Sequence, residues 1–322
     1  MQVFGPVPSR RLGRSLGINN IPAKMCTYAC VYCQVGATTT MTLSRRACYP
    51  PEDLIEEART RLRQADERRE QVDYLSLVPD GEPTLDKNLG KLIIGLKTLG
   101  PKVAVITNAT LLDDPRVRSE LAAADWVSVK IDTLDPVAWH RLNRPHGRLD
   151  LPRLVTGIQR FVLEYDGFLA TETMLVAGFN DDPGQVTSVA RLLGRLRPDC
   201  AYLAAPIRPP LMQTIRPPSR ERFARAHELF SAAVENVECL LHPETDDFGS
   251  TGNAEQDLLA ITAVHPMRES AVRSLLARCD AGWEIVDRLL EKHILAATTI
   301  GGVTFYQRPT KRRCFDHGTG QA

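Results

Sequence analysis

The sequence predicts an α/β protein: a partial (β/α)6 barrel of the TIM type, followed by a small C-terminal winged helix-turn-helix unit. Three observations carry this. Six short apolar, β-branched runs alternate with longer amphipathic stretches between Ser15 and about Leu241, the pattern of βα units feeding a parallel sheet. The first of the stretches between them, "PPEDLIEEA", begins with proline and acidic residues, which helix starts favour. After a polar, glycine-containing segment, the last part of the chain changes to three helical patterns and two short strands.

The strand candidates, in order, are "SLGINN" from Ser15, "VDYLSLV" from Val72, "KVAVIT" from Lys102, "WVSVKID" from Trp126, "FLATETMLV" from Phe168 and "AYLAAPI" from Ala201. Each is short and rich in residues that suit a pleated surface. The helix candidates between and after them are Pro51 to Glu70, Lys87 to Leu99, Pro115 to Ala123, Leu151 to Glu164, Gly184 to Leu196 and Arg220 to Glu235. Residues 1–241 therefore form the barrel. "HPETDDFGSTGN", His242 to Asn253, is polar and acidic and reads as a linker. In 254–308 the helices "EQDLLAITAVH", "RESAVRSLLARC" and "GWEIVDRLLEKH" precede the strands "ILAATT" and "VTFYQ", the order of a winged helix. Residues 309–322 read as a basic flexible tail.

A chain of 322 residues, 43% apolar and 25% charged, has an ordinary globular balance. No apolar run approaches the ~20 residues of a membrane span and no signal segment opens the chain, so the expected location is the cytoplasm and no membrane partner is expected. Net charge is only +1, but residues 1–51 hold six basic side chains and no acid. Local excess of that kind can attract an anionic partner irrespective of the total. No phosphate-binding glycine loop or dinucleotide fingerprint is present, which lowers NTPase and dehydrogenase readings.

Three of the 8 cysteines fall within eight residues, in "CTYACVYC": Cys26, Cys30 and Cys33. A secreted disulfide scaffold would spread its cysteines; this cluster fits a metal site in a reducing compartment. Three close thiolates can hold zinc with a fourth ligand from elsewhere, or three irons of a 4Fe-4S cluster with the fourth iron open. Zinc is the weaker choice, since no second cysteine pair follows and the first histidine is His140. Cys48, Cys200, Cys239, Cys279 and Cys314 form no second motif and read as inert thiols.

The C-x3-C-x2-C spacing, with the aromatic Tyr32 just before the third cysteine, resembles the radical S-adenosylmethionine (radical SAM) superfamily. The resemblance implies that Cys26, Cys30 and Cys33 hold a 4Fe-4S cluster whose open iron chelates S-adenosyl-L-methionine (SAM). "PDGEPTL", after the second strand candidate, looks like the family's GGEP motif, with Asp80, Gly81, Glu82 and Pro83 facing the SAM ammonium and Asp80 replacing the first glycine. Glycine there lets backbone approach closely. Softer matches are "TNAT" with Asn108, "VKIDT" with Lys130 and Asp132, and "TETMLVAGFND" with Glu172 and Asn180; by resemblance these contact the SAM carboxylate, ribose or adenine. More narrowly, "FGPVPSRRLGRSLGINNIP" and "LNRPH" resemble the Fe-S oxidoreductases related to the wybutosine-synthesising tRNA enzymes, although no Schiff-base lysine can be placed.

The implied function is reductive cleavage of SAM to a 5'-deoxyadenosyl radical that abstracts hydrogen from a substrate: RNA, a peptide or a small molecule. A reducing electron donor such as flavodoxin or ferredoxin is the implied partner. Arg10, Arg11, Arg14, His140, Arg144, His146 and Arg208 are candidates for the barrel mouth. A different class, an iron-sulfur transcription regulator, would use the winged unit as reader, and a zinc-stabilised binding module is a third reading. DNA is disfavoured: residues 254–292 carry five basic and seven acidic side chains, with Glu284, Asp287 and Glu291 on the presumptive recognition helix.

Overall fold

The structure, a computed structural model, describes residues 2–242 and 244–309. Most of the tail and Cys314 lie outside the described residues. The chain opens with a hairpin, β1 (Val3–Ser9) and β2 (Gly13–Ile18), then forms the short pair β3 (Met25–Cys26) and β4 (Thr40–Met41). There follow α1 (Pro51–Glu67), β5 (Tyr74–Leu77), α2 (Leu89–Lys97), β6 (Lys102–Thr107), α3 (Pro115–Leu121) and β7 (Trp126–Lys130). Next come α4 (Pro136–Leu142), α5 (Leu151–Glu164), β8 (Phe168–Met174), α6 (Pro183–Leu196), β9 (Cys200–Ala204), α7 (Arg220–Ser231) and β10 (Val237–Leu240). The main sheet has the order β1-β2-β5-β6-β7-β8-β9-β10, parallel except for β1, and curls into a half-barrel. The six strand candidates are β2 and β5 to β9. Sequence reading missed β1, α4 and β10.

Local chemistry explains the helix starts. Asp114, Asp135 and Asp182 each precede a proline, and each side chain accepts from a backbone N–H of the first turn. Proline at the first helical position gives up no bond the helix would have made, while the aspartate satisfies a donor otherwise left open. Packing then supplies most of the stability. Leu89, Leu92, Ile93 and Leu96 of α2 are fully buried against the sheet, each contributing about 2 kcal/mol by area.

A second apolar cluster fills the barrel interior, where Trp126, Ala170, Cys200 and Tyr202 project inward. The turn between β1 and β2 reaches it: Leu12 is buried among these residues, so the hairpin tip plugs the interior beneath the strand ends. Arg10 and Arg11 flank that plug. Two prolines and a glycine in β1 hide it from pattern reading, yet prolines are tolerated on an edge strand.

The C-terminal part comprises α8 (Ala254–Val264), β11 (Met267–Arg268), α9 (Glu269–Arg278), α10 (Glu284–Glu291), β12 (Ala296–Ile300) and β13 (Val303–Gln307), with a sheet of order β11-β13-β12. Its core includes Leu258, Val272, Leu289 and Tyr306, together with Phe4 and Val7 from β1. Segment 244–253 is packed: Phe248 joins that core, Gly249 donates to the Pro6 carbonyl at 2.6 Å, and Asp257 accepts from Thr251. No described helix is long and apolar enough to cross a membrane.

Candidate active site

The loop after β2 carries the cysteines, and the loop after β5 carries Asp80 to Pro83. Backbone bonds lash the two together: Lys24 N–H donates to the Asp80 carbonyl at 2.7 Å, and Glu82 N–H to the Met25 carbonyl at 3.0 Å. Gly81 is the position where this closeness decides the residue. A Cβ there would lie 2.0 Å from the Met25 carbonyl oxygen, and its φ is +151°, so any side chain would push the loops apart. Lys24 and Asp80 add an ion pair at 2.7 Å. Burial pushes the Asp80 carboxyl up to about 6 against the opposing pull of Lys24.

Glu82 turns away from solvent. Its carboxylate accepts from Thr84 N–H, the Thr84 and Thr107 hydroxyls and Asn108 N–H, at 2.6 to 3.1 Å. It thus staples the loop to the end of β6. The face of this motif left for a ligand is mainly backbone, as the close approach at Gly81 suggests.

Cys26, Cys30 and Cys33 border one cavity of about 270 Å³, whose other walls include Asp80, Gly81, Asn108, Lys130 and Glu172. Their thiols are pushed up by burial, Cys30 to about 12 with Asp132 adding to the effect, and Cys26 well above the ordinary value. Thiolates form there when a metal replaces the protons. Sulfur-directed donors are in place: Tyr28 N–H lies 3.5 Å from Cys26 Sγ, Asn108 Nδ2 3.6 Å from the same sulfur, and Asn143 Nδ2 3.5 Å from Cys30 Sγ. Among the described residues no three His, Cys, Asp or Glu side chains converge tightly enough for a single ion. A cluster does not ask for that, because each thiolate binds its own iron. The donor set therefore fits a 4Fe-4S group better than zinc.

Behind the cysteines, the Tyr32 hydroxyl donates to Asp132, and Asn143 Nδ2 donates to Asp132 at 2.7 Å and lies 3.1 Å from the Tyr32 oxygen. Tyr28, two residues past Cys26, accepts from Trp139 Nε1 at 2.8 Å. Val31 and Ala29 N–H groups donate to the carbonyls of Leu142 and Asn143. The end of α4 thus fixes the cysteine loop, and "LNRPH" does so through Asn143, a residue the sequence reading quoted in the motif but did not single out.

Lys130 lies 4.9 Å over the Tyr32 ring and 3.1 Å from Glu172, which Arg11 also engages. Burial would raise the Glu172 carboxyl, but Arg11 and Lys130 outweigh it and hold it well below the usual carboxylate range. Of the residues chosen from sequence, Tyr32, Asp80, Gly81, Glu82, Asn108, Lys130 and Glu172 border the cavity. Pro83, Asp132 and Asn180 do not. Pro83 starts a 3-10 turn behind the loop, Asp132 is consumed by Tyr32, Asn143 and the Met174 amide, and Asn180 by the Asp132 and Met174 carbonyls and the Val176 amide. Arg10, Arg11 and Arg208 reach the cavity, whereas Arg14 pairs with Asp247, His140 is exposed, Arg144 meets Met212, and His146 accepts from Arg148 N–H.

Residues 20–187 match the family model described as the Radical SAM superfamily. The chain belongs to the radical SAM superfamily. This radical SAM protein is 39% identical over 312 residues, 96% of its own length and 97% of the relative's, to UPF0026 protein MJ1312 of Methanocaldococcus jannaschii. It is 40% identical over 213 residues, 66% of its length and 77% of the relative's, to UPF0026 protein slr1464 of Synechocystis. Among solved structures it resembles in fold a radical SAM methyltransferase from Sphaerobacter thermophilus, with TM-score 0.54 at 18% identity over 71% of this chain and 67% of that one. It also resembles Streptococcus suis SuiB, with TM-score 0.51 at 15% identity over 77% and 56%. The radical SAM protein is accordingly an enzyme that uses a 4Fe-4S cluster and SAM, with a reductant, on a substrate still to be identified.

Proposed function

We propose that Cys26, Cys30 and Cys33 ligate three irons of the cluster and leave the fourth to the amino and carboxylate groups of SAM. The observation that carries this is that all three thiols border one cavity together with the Gly81 backbone, Lys130 and Glu172. When bound, the cluster would supply one-electron reduction of SAM and, through it, the radical chemistry that removes hydrogen from a substrate.

The protein's own residues do the positioning. Backbone carbonyls about Gly81 suit the SAM ammonium, and the Lys130 ammonium, kept charged by Glu172 and Asp132 against burial, suits a carboxylate or ribose oxygen. N–H groups directed at Cys26 and Cys30 offset charge on the thiolates and tune the potential. Tyr32, locked by Asp132 and Asn143, holds the loop and shields one side of the site from water.

Residues 254–308 serve, on this reading, as a winged-helix-like unit with an intramolecular role. Val264 borders the cavity, and His265 Nε2 lies 2.8 Å from Glu244, which also pairs with Arg208. Flavodoxin or ferredoxin is the class of donor that suits such a cluster. The test is anaerobic reconstitution, dithionite reduction with SAM, and chromatography for 5'-deoxyadenosine. Cysteine-dependent product is expected, and protein that assembles no cluster would contradict the reading.

A further inference from the structure

Beside the cavity that holds the cysteines lies a second chamber of about 130 Å³ inside the barrel. Both are bordered by Arg10, Arg11, Val78, Ile106, Arg208 and Val264. The inner chamber is apolar at Phe4, Val7 and Leu12 and polar at Ser9, His265 and the hydroxyl pair Ser15 and Ser76, 2.6 Å apart. Three guanidinium groups therefore stand where the two spaces meet.

Their charge is not balanced by the protein. Arg10 and Arg208 share Glu244, at 3.7 and 2.5 Å, while Arg11 and Lys130 share Glu172. Lys130 also meets Asp132, so at the junction itself three guanidinium groups share two carboxylates in a largely buried place. The Nε–H groups of Arg11 and Arg208 are buried and donate to no acceptor among the described residues. Burial, with Arg208 and Arg11 next in weight, lowers the Arg10 pKa to about 10. Buried like charges with unused donors are costly unless an anion joins them.

Resting on the radical SAM reading, we propose that the substrate is a small molecule bearing an oxyanion, a carboxylate or a phosphate, which Arg10, Arg11 and Arg208 hold at the junction while its apolar part enters the inner chamber. Guanidinium forks match both oxyanions in geometry. The Val264 wall places the C-terminal unit beside the bound molecule.

The test uses the full chain after cluster reconstitution, with SAM present, titrated calorimetrically with inorganic phosphate and separately with acetate, against chloride at matched ionic strength. Saturable binding of at least one anion is expected, phosphate alone pointing to a phosphate ester and acetate alone to a carboxylic acid. Arg208→Gln should weaken it by about tenfold or more, and Arg208→Lys by less, with cluster absorbance and SAM affinity unchanged in both. Should either variant lose its cooperative melt, Arg10→Gln provides the same comparison. Neither anion saturating, equal affinity in the variants, or SAM affinity falling in step with anion affinity would overturn the proposal. Failure of the radical SAM reading would appear separately, as absence of the cluster absorbance in the unmutated protein.

Discussion

The two sides of the cavity are built on opposite terms. On the cysteine side nearly every polar group has a protein partner: Glu82 is bonded to Thr84, Thr107 and Asn108, Asp132 to Tyr32 and Asn143, and the two loops to each other. On the arginine side cations outnumber carboxylates and guanidinium donors are left over. A satisfied wall is rigid before its ligand arrives, which suits a cofactor held in one geometry. An unsatisfied wall is completed by its ligand, which suits a substrate that comes and goes.

Breaking the rigid side should have the largest effects. Cys30→Ala is expected to reduce cluster absorbance and 5'-deoxyadenosine formation to background, and an iron-replete variant would remove this cysteine from the ligand set. Gly81→Ala forces a Cβ into the Met25 carbonyl; a loss of about 3 kcal/mol or more is expected by chemical denaturation, with cluster retention falling too. Unchanged stability would mean that the two loops are not locked as described.

Smaller effects sharpen the comparison. Asp80 has a folded pKa of about 6, above the 3.8 of an unperturbed group. The folded state therefore binds its proton more tightly, so this group's contribution falls as pH rises from about 4 to about 6 and stays low above that. The change should amount to about 3 kcal/mol at most, and Asp80→Asn should flatten that part of the stability profile; an unaltered slope would assign it to other groups. Asn143→Ala should cost about 1 to 2 kcal/mol, because Asp132 loses a buried donor. It should also lower the cluster potential, since an N–H near Cys30 favours the more negative reduced state. A potential that does not move would leave Asn143 with a purely structural part.

Much of this was legible in the sequence because the signals were local. Six β-branched runs and the helical patterns between them give the half-barrel, and the cysteine spacing and "PDGEPTL" point to the two loops that border the cavity. The other side was less legible, because it depends on distant pairings. Arg10 and Arg208 are 198 positions apart (208 minus 10) and meet through Glu244, inside a segment that reads as a polar linker. The β1–β2 turn looks like a basic surface loop until Leu12 is seen buried in the barrel. Asp132 and Asn180 were expected at the cofactor from their places at strand ends, but a strand-end polar residue can be used up by neighbouring backbone, as both are here.

The most direct measurement is electron paramagnetic resonance of the dithionite-reduced, reconstituted protein with and without SAM. Three cysteine ligands and one open iron lead to a 4Fe-4S signal whose g values shift when SAM is added. A reduced cluster whose spectrum is identical with saturating SAM would contradict an open iron in this cavity.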